Sequence, residues 1–411
     1  MIAAPSAMPI AATLTSEEAA SRAWHAVVIG AGPAGAATAL RLARGGWRVL
    51  LIDRHAMPRP KVCGCCLSRR ALDELASLGL AGAGGLARSA IPLGQVRLVA
   101  CGGAARLPFP GGGVLSRESL DPSLVEAAVA AGVQWLPEIE ATTVTETADA
   151  AHPLDVACRV RQAESARLVI RAGTAVIAAG LVDHVRTPSS PPRDRAAGSR
   201  IGVGGLLGPT AVDLPHGELV MAVGRHGYCG IVRLEDGRID LAAAIDRDAI
   251  AMSPSLNAAV AAILREADPR GMRLPLAPEA VMAASFRATP PLTHVAPLVS
   301  GARRRTFRVG DAAGYVEPFT GEGMGWALTS GRLLADALLA DGDPAAAYVR
   351  AHATCFTRHH RRCGRVAAAL RMPRLVGSAV RVAQAAPWMA ARAVPLLIGS
   401  GRHRAGERTA S

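Results

Sequence analysis

Hydrophobic residues between positions 24 and 54 form two short runs that flank a segment of helical periodicity. The first run, at residues 26–29, leads into glycines at positions 30, 32 and 35, and the second run covers residues 49–52. Short apolar runs bounded by glycine are typical of buried strands, and small residues on one side of a helix allow close packing. The pattern predicts a strand, a tight turn, a helix and a second strand.

The three glycines have the GxGxxG spacing of a dinucleotide-binding turn. Gly30 suits the tight turn, Gly32 lets a pyrophosphate approach the backbone, and Gly35 lets the helix pack against the strand. The free N–H groups at the start of the helix attract phosphate. Pro33 and Ala34 complete this turn and are predicted to contact the cofactor.

Asp53 closes the second strand, 18 residues after Gly35. A carboxylate at this position accepts hydrogen bonds from ribose hydroxyls. The register of strand, helix, strand and acid therefore predicts a dinucleotide site. This motif alone does not distinguish NAD from FAD.

A second glycine-rich turn follows an apolar strand that ends at Val309. Asp311 comes directly after the strand, where it is placed to hold a sugar-like hydroxyl chain. A helix is predicted from about Gly323. The N–H groups of Gly323 and Met324 would stabilise a reduced, negatively charged ring through the helix dipole.

Residues 91–110 and roughly 198–290 read as strands joined by glycine-rich turns. Residues 95–109 predict a hairpin about Gly102 and Gly103, and residues 217–245 predict three strands. The segment RIGVGGLLG at 200–208 resembles a second dinucleotide turn, but no acid follows it at the required distance. A second nucleotide site is therefore not predicted, and nicotinamide would bind only transiently.

Together, the motifs resemble those of the flavoprotein monooxygenase-like superfamily and, within it, the geranylgeranyl reductase-like family. The resemblance rests on GxGxxG with its terminal Asp53, PRPKVCGCCLS at 58–68, the segment around Arg117, AVIAAGLVDHVR at 175–186 and VGDAAGYVEPFTGEGM at 309–324. It covers roughly residues 26–339 and implies FAD as the cofactor.

The resemblance also implies individual roles. Asp53 would bind the adenosine ribose, Arg117 the adenosine-diphosphate part, Asp311 the ribityl chain, and the backbone of Ala141 the adenine. Without the resemblance, Arg117 would be an arginine before a helix capped by Asp121. The predicted cofactor-binding residues are Gly30, Gly32, Pro33, Ala34, Gly35, Asp53, Arg54, Cys63, Gly64, Cys66, Arg117, Ala141, Asp311, Gly323 and Met324.

The implied fold is α/β. It consists of a Rossmann-type FAD-binding domain interleaved with a mixed-sheet substrate domain, plus C-terminal helices, as in flavoproteins like para-hydroxybenzoate hydroxylase. The expected division is a disordered leader at 1–23, an FAD-binding domain at 24–90, 111–190 and 295–345, a substrate domain at 91–110 and 191–294, and a basic helical region at 346–411.

The segment KVCGCCLS places three cysteines beside the only lysine of the chain. Cys63 and Cys66 form a CxxC, which suits thiol redox chemistry next to a flavin because Lys61 would lower a thiol pKa. The resemblance instead places Cys63, Gly64 and Cys66 against the flavin as a contacting loop. Both interpretations remain open, and Cys65 has no assigned role.

A metal site is the third interpretation of these cysteines. A structural zinc ion needs four nitrogen or sulfur ligands. The other candidate cluster, formed by Cys355, His359 and Cys363 at helical spacing, lies among five arginines that would oppose a dication. No metal is predicted.

Two reactions suit a single flavin, since the protein selects the chemistry that the cofactor supplies. We favour reduction of a carbon–carbon double bond in a prenyl or polyene chain. The alternative is hydroxylation of an aromatic or polyketide substrate by an NAD(P)H-dependent monooxygenase. In either case NAD(P)H or another external electron donor is expected.

The predicted catalytic residues are Cys63, Tyr228 and Glu322, with His226 as a further candidate acid. Prenyl reductases of this family carry Tyr-x-Trp-x-Phe-Pro where this chain has YCGIVR from Tyr228. The departure removes two aromatic side chains and a proline. The pocket is expected to be apolar, and the substrate a hydrophobic small molecule.

Positive charge is concentrated at the C-terminal end of the chain. From Arg350 onward there are 12 arginines and one acidic residue, Glu407, so +11 of the net charge of +13 lies there. Such a stretch suits an anionic membrane surface or an acidic carrier protein, or simply helices packed with arginine outward. The non-enzyme alternative is a membrane- or nucleic-acid-binding module, but the FAD motifs argue against nucleic acid as a partner.

The eight cysteines and the lack of a signal peptide suggest reduced thiols. No apolar run approaches the ~18 residues that a spanning helix needs. We therefore expect a cytoplasmic protein that can lie on the inner membrane face.

Overall fold

The computed structural model describes residues 8–81, 86–161, 166–187, 194–196, 198–276, 278–317, 319 and 321–388. Residues 1–7 of the expected leader and the part of the basic region from residue 389 onward lie outside the described residues.

Ten α-helices lie within the described residues. They are α1 Ser16–Ser21, α2 Pro33–Arg44, α3 Arg69–Ser77, α4 Leu86–Ser89, α5 Arg117–Ala130, α6 Arg247–Met252, α7 Leu256–Ala267, α8 Gly323–Leu339, α9 Pro344–Ala369 and α10 Pro373–Ala385.

The described residues also form nineteen β-strands. They are β1 Ala23–Ile29, β2 Val49–Ile52, β3 Cys66–Leu67, β4 Ile91–Ala100, β5 Gly103–Val114, β6 Gln134–Leu136, β7 Ile139–Glu146, β8 Leu154–Val160, β9 Arg167–Ile177, β10 Asp194–Arg195, β11 Ile201–Leu207, β12 Glu218–Val223, β13 Gly227–Arg233, β14 Ile239–Ile245, β15 Arg287–Pro291, β16 His294–Val295, β17 Val299–Ser300, β18 Thr306–Arg308 and β19 Gly314–Tyr315.

The first sheet has the order β17-β18-β9-β1-β2-β6, and β7 and β8 join it as an antiparallel extension at β9. Its centre is parallel, since β1 pairs in parallel with both β2 and β9. All four residues of β2 are buried, as expected for a parallel strand that is covered on both faces. This is the βαβ unit that the hydrophobic pattern predicted.

The second sheet has the order β15-β11-β14-β13-β12-β4-β5-β3. The predicted hairpin is present, and Gly102 lies at its turn with φ of +77°. The three predicted strands correspond to β12, β13 and β14, which pair antiparallel. A third, small sheet consists of β10, β16 and β19.

One row of the second sheet consists of small side chains. Gly204 pairs with Ala242, Ala242 with Gly230, and Gly230 with Met221. A Cβ at Gly204 would lie 2.9 Å from Cγ1 of Val62. The row therefore leaves room for residues 61–68, the cysteine-rich loop, to pack on the face of the sheet.

The fold class is the predicted α/β class, and the main differences from the expected division lie near its boundaries. Residues 8–23 are ordered rather than a disordered leader, since Ile10 donates its N–H to Met57 and α1 carries a capping box between Thr15 and Glu18. The second sheet also takes in β3 and the end of β5. These strand pairings join residues that are distant in sequence.

Helices α9 and α10 follow α8. Within the described residues, no helix is long and apolar enough to cross a bilayer.

Helices α2 and α8 make the closest helix contact near the glycine-rich turn. A Cβ at Gly331 would lie 2.5 Å from the carbonyl oxygen of Ala34 and 2.7 Å from Oγ1 of Thr38. Real Cβ atoms do not approach backbone this closely, so only glycine allows the two helices to meet here.

Substitution Gly331→Ala is expected to destabilise the protein by roughly 1–3 kcal/mol, because the added methyl group overpacks the helix contact. The matched control is Gly364→Ala in α9, where a Cβ would meet no atom within 4 Å. There alanine should stabilise the helix by about 0.5–1 kcal/mol. Urea unfolding of both variants tests this, and equal midpoints would contradict it.

Candidate functional site

A cavity of about 510 Å³ lies between the parallel sheet and the face of the second sheet that carries the small residues. Most of the predicted site residues meet in its lining. They are Gly30, Gly32, Pro33, Ala34, Asp53, Arg54, Cys63, Gly64, Cys66, Arg117, Ala141, Tyr228, Asp311, Gly323 and Met324.

Gly35 does not line the cavity but fixes its shape. A Cβ at Gly35 would collide with the carbonyl oxygen of Gly30, which is the close contact of helix and strand that the motif predicts. Gly30 itself has φ of +107°, a conformation that favours glycine. The turn therefore depends on the absence of side chains at both positions.

Two helices begin at the cavity with uncapped first turns. α2 starts after Gly32 and α8 starts after Glu322, and neither N-cap side chain bonds a backbone N–H. Free N–H groups at a helix N-terminus form a site for an anion. The two starts provide separate anion sites along one cavity.

Asp53 is held in a fixed orientation at the end of β2. Its Oδ2 accepts hydrogen bonds from the N–H of Ala31 at 2.8 Å and from Arg59 at 3.2 Å, and its Oδ1 accepts from the N–H of His55 at 3.0 Å. Sequence reasoning missed Arg59, although it lies in the same PRPK segment as the only lysine. A carboxylate oriented in this way has remaining lone pairs for hydroxyl donors.

Arg117 is the first residue of α5 and lies against the glycine-rich turn. A Cβ at Gly32 would be 3.6 Å from its Nη2. Arg117 donates twice to Asp121, at 2.7 Å each. Burial opposes its charge, but Asp121 outweighs this and raises the pKa of Arg117. Asp121 is therefore an ion-pair partner, and Ser116 is the N-cap that the sequence reading had placed at Asp121.

Lys61 also lines the cavity, close to Asp311 and Arg117. Burial, followed by the charges of Arg59 and Arg117, lowers the pKa of Lys61 to about 8. Burial also raises the pKa of Asp311, against the opposing charges of Lys61 and Arg117. The one lysine of the sequence was the available signal for this cation.

Cys63 differs from the other cysteines of its loop. A hydrogen bond from Cys65 lowers the pKa of Cys63 to about 6, against the effect of burial and with help from Arg117. Burial raises the pKa of Cys66. The Cys65 thiol, for which no role was predicted, donates to the carbonyl oxygen of Cys63 at 3.8 Å.

Tyr228 lines the end of the cavity formed by the second sheet. Its ring meets Phe319 edge to face at 5.0 Å and lies 5.6 Å from the guanidinium carbon of Arg200. Glu317 lies near its hydroxyl, and Arg200 pairs with Glu317 at 3.1 Å. Burial, with the charge of Glu317, raises the pKa of Tyr228, so this hydroxyl keeps its proton.

Glu322 and His226 do not belong to the lining of the cavity. Glu322 contacts the thiol of Cys363 at 3.8 Å, and burial raises its pKa. His226 lies 3.8 Å from Asp246, with its side chain 45% exposed. Both residues therefore differ from Cys63 and Tyr228, which face the cavity directly.

The cluster considered for a metal is occupied by an arginine instead. Arg70 of α3 contacts Sγ of Cys355 at 3.3 Å and Nε2 of His359 at 2.9 Å. Among the described residues, no group of three or more metal-ligating side chains is arranged to hold an ion.

The chain is similar to known flavoproteins in sequence. Residues 24–173 match the family model described as an FAD binding domain. Two curated relatives are named menaquinone reductase. The protein from Mycobacterium tuberculosis is 31% identical over 76% of each chain, and that from Mycolicibacterium smegmatis is 27% identical over 85% of each chain.

Solved structures show the same fold. A flavoprotein/dehydrogenase from Cytophaga hutchinsonii has a TM-score of 0.72 at 15% identity, covering 92% of this chain and 93% of the other. A geranylgeranyl bacteriochlorophyll reductase-like protein from Thermoplasma acidophilum has a TM-score of 0.67 at 17% identity, covering 88% and 91%. A flavin-dependent brominase has a TM-score of 0.70 at 18% identity, covering 92% and 94%.

The family-model match, the extent of the similarity to the menaquinone reductases and the geometry of the cavity lead to one assignment. The chain belongs to the family of FAD-dependent oxidoreductases that includes the menaquinone reductase of Mycobacterium tuberculosis.

Proposed function

We propose that FAD lies along the cavity, with its pyrophosphate at the glycine-rich turn and its ring at the start of α8. The cavity fits the cofactor in two respects. A Cβ at Gly32 or at Gly64 would meet its nearest neighbour only at 3.5–3.6 Å, so these glycines keep open space that a side chain would fill. The uncapped first turns of α2 and α8 supply N–H groups to the anionic parts.

The individual contacts follow from this placement. Asp53 would bind the adenosine ribose, Arg117 the diphosphate and Asp311 the ribityl chain. Arg54 and the backbone of Ala141 would enclose the adenine end. These assignments rest on the lining of a single cavity by all of these residues.

We infer that the protein reduces a carbon–carbon double bond in the prenyl chain of a lipid, with a prenylated quinone as the substrate class. The observation that carries this proposal is the 31% identity to a menaquinone reductase over 76% of both chains. The apolar end of the cavity suits such a substrate, since Leu219, Met221, Leu292 and Phe319 line it.

When bound and reduced, FAD supplies a hydride to one carbon of the double bond. The chain must then orient the prenyl group, exclude water and deliver a proton to the other carbon. Cys63 in its protonated form is the proposed acid, because it lines the cavity beside the predicted ring position. Its lowered pKa of about 6 means that this form declines as the pH rises above that value. Tyr228 presents its ring to the substrate. Glu322 lies outside the cavity lining and would affect the reaction only by positioning the start of α8.

The electron donor is proposed to be NAD(P)H, which would bind transiently. The second glycine-rich segment is a buried strand, β11, rather than a nucleotide turn. This arrangement is compatible with a donor that reduces the cofactor and leaves.

The outer face of α10 is proposed to dock on an anionic membrane surface. The inner face packs through Val376 and Val380 on β4 and β5, in the hydrophobic cluster that also includes Tyr228. The outer face exposes Leu375 and Val382 by 51% and 54%. Exposed arginines on the same helix give this face the charge that anionic lipids attract.

Substitution Asp53→Asn is expected to weaken FAD binding by about 10- to 100-fold, because a hydrogen bond to a charged group contributes roughly 1.5–3 kcal/mol. The matched control is Asp73→Asn, which removes an exposed carboxylate paired only with Arg69. Titration of the apoprotein with FAD, followed by flavin fluorescence, measures both. Unchanged affinity in Asp53→Asn would contradict the assignment.

Incubation with a prenylated quinone and an electron donor under nitrogen is expected to yield a product that has gained two hydrogens in its prenyl chain. Mass spectrometry with fragmentation locates the change. NADPH and NADH are compared with dithionite, which tests the donor separately from the reaction. A product that gains oxygen, and forms only in air, would replace the proposal with hydroxylation.

The double variant Leu375→Ser/Val382→Ser is expected to bind phosphatidylglycerol vesicles at least tenfold more weakly, since burial of each such side chain contributes about 1.5–3 kcal/mol. Met252→Ser is the control, because Met252 is 77% exposed on a different helix. Vesicle sedimentation measures the affinities. Equal binding by the double variant and the unaltered protein would remove α10 as the docking face.

A further inference from the structure

The first turn of α5 is held by a carboxylate that comes from the second sheet. Glu235 lies in the turn between β13 and β14, which is called the 234–238 turn below. Its Oε2 accepts the N–H of Ser116 at 3.0 Å, and its Oε1 accepts the hydroxyls of Ser116 and Ser119 at 2.6 Å and 2.7 Å. Three hydrogen bonds therefore join one side chain of the second sheet to the start of this helix.

This arrangement completes a capping box with a residue from a distant part of the chain. In a local capping box, the side chain of the third helical residue accepts the N–H of the N-cap residue. Glu18 does so for Thr15 at the start of α1. The third residue of α5 is Ser119, and Glu235, which is 119 residues from the N-cap Ser116, supplies the carboxylate instead. The start of α5 is therefore complete only when the two sheets are in place.

The same carboxylate sets the direction of the N-cap hydroxyl. Oγ of Ser116 accepts the N–H of Ser119 at 3.1 Å and donates its proton to Glu235. A hydroxyl group has one proton to donate, so donation to the carboxylate leaves its lone pairs for the backbone N–H. Removal of the carboxylate would release this hydroxyl and take away the acceptor of the Ser116 N–H.

A second tie from the 234–238 turn holds the next part of α5. Arg238 donates to Glu118 of α5 and to Asp236 of its own turn, at 2.6 Å each. Arg238 is 7% exposed, so water competes little for these bonds. The turn is itself ordered, since Gly237 has φ of +86° and Leu234 donates its N–H to the carbonyl oxygen of Arg238 at 2.8 Å. It therefore acts as a preformed clamp.

Arg117 lies between the tied residues and lines the cavity. Its Nη2 is 3.6 Å from the position of a Cβ at Gly32, and Asp121 fixes its guanidinium with two hydrogen bonds of 2.7 Å. Neither Glu235 nor Arg238 belongs to the cavity lining. The 234–238 turn can therefore affect a ligand in the cavity only through α5.

We propose that Glu235 and Arg238 are positioning residues for Arg117, and that they fix its guanidinium at the phosphates of the cofactor. The inference deepens the proposed function and rests on it, because that placement of FAD gives Arg117 the diphosphate. A guanidinium binds phosphate through a planar fork of N–H groups, so its direction matters as well as its distance. A small rotation of the first turn of α5 would misdirect this fork.

The proposal joins two parts of the site that have been described separately. The strands that flank the 234–238 turn, β13 and β14, line the cavity with Tyr228 and residues 242–244. The sheet that supports the substrate end of the cavity would thus also fix the phosphate anchor.

The test begins with Glu235→Ala, which removes all three hydrogen bonds. Glu235→Gln is the conservative variant, since its amide oxygen can still accept the N–H of Ser116. The matched control is Glu266→Ala, because Glu266 accepts the N–H of Arg225 at 2.6 Å and lies outside the cavity lining. Urea unfolding of the three variants shows how far each loosens the fold.

Two measurements on the FAD complex need no turnover. Titration of the apoprotein, followed by flavin fluorescence, should give about tenfold weaker FAD binding in Glu235→Ala. Most of the affinity should return in Glu235→Gln, and Glu266→Ala should bind as the unaltered protein does. Phosphorus NMR of bound FAD should show displaced phosphate signals in Glu235→Ala only. A general loss of stability would not single out the phosphates.

A double-mutant cycle with Arg117→Gln tests whether Glu235 acts through Arg117. In the Arg117→Gln background, Glu235→Ala should lower FAD affinity by less than about twofold, because residues that act as a unit are not additive. The same tenfold loss in both backgrounds would overturn the proposal, since Glu235 would then act independently of Arg117.

Failure of the FAD placement gives a different result. Arg117→Gln would then keep the full FAD affinity, which removes the phosphate anchor and its positioning together. Weaker binding in Arg117→Gln with unchanged binding in Glu235→Ala leaves the placement intact and overturns the positioning role alone. Should Glu235→Ala not fold, Glu118→Ala, which cuts the tie to Arg238, takes its place in the cycle with the same expected result.

Discussion

The contact between α2 and α8 determines the geometry of the whole site, because both helices begin at the cavity and point their free N–H groups into it. Gly331 lets α8 approach the first turn of α2, and Gly35 lets α2 approach β1. The spacing of the two helix starts is therefore fixed by backbone contacts rather than by side-chain packing. A long cofactor with a phosphate at one end and a ring at the other needs such a fixed spacing.

The second sheet contributes a surface rather than a framework. Its row of small residues accepts the cysteine-rich loop, while larger residues of the neighbouring rows form the apolar end of the cavity. Cys63 therefore lies where the two halves of the protein meet. Chemistry that needs both a bound cofactor and a hydrophobic substrate occurs at this boundary in the proposed function.

Local patterns explain why so much of the site was predictable. The glycine spacing, Asp53, Asp311 and the start of α8 each belong to a short segment in which turn, strand and helix signals agree. These signals need no knowledge of distant contacts. The same reasoning found the βαβ unit, the hairpin and the three strands of the second sheet.

The failures have a common physical cause, which is that they depend on residues far apart in sequence. Asp121 has the sequence features of a helix cap, but its carboxylate forms an ion pair with the buried guanidinium of Arg117. The contact of Arg70 with Cys355 joins positions 285 residues apart, and no local pattern marks it. The order of residues 10–21 likewise comes from docking on Met57 and Trp135.

The environment of Lys61 has a consequence for ligand affinity. Its amine loses much of its charge near pH 8 because burial, followed by the charges of Arg59 and Arg117, lowers its pKa. An anion that enters beside it favours the charged form, so binding takes up a proton whenever the pH is near or above that value. Affinity for any anionic ligand in this cavity should therefore decline in alkaline solution, and binding beside Lys61 should take up a fraction of a proton that grows with pH.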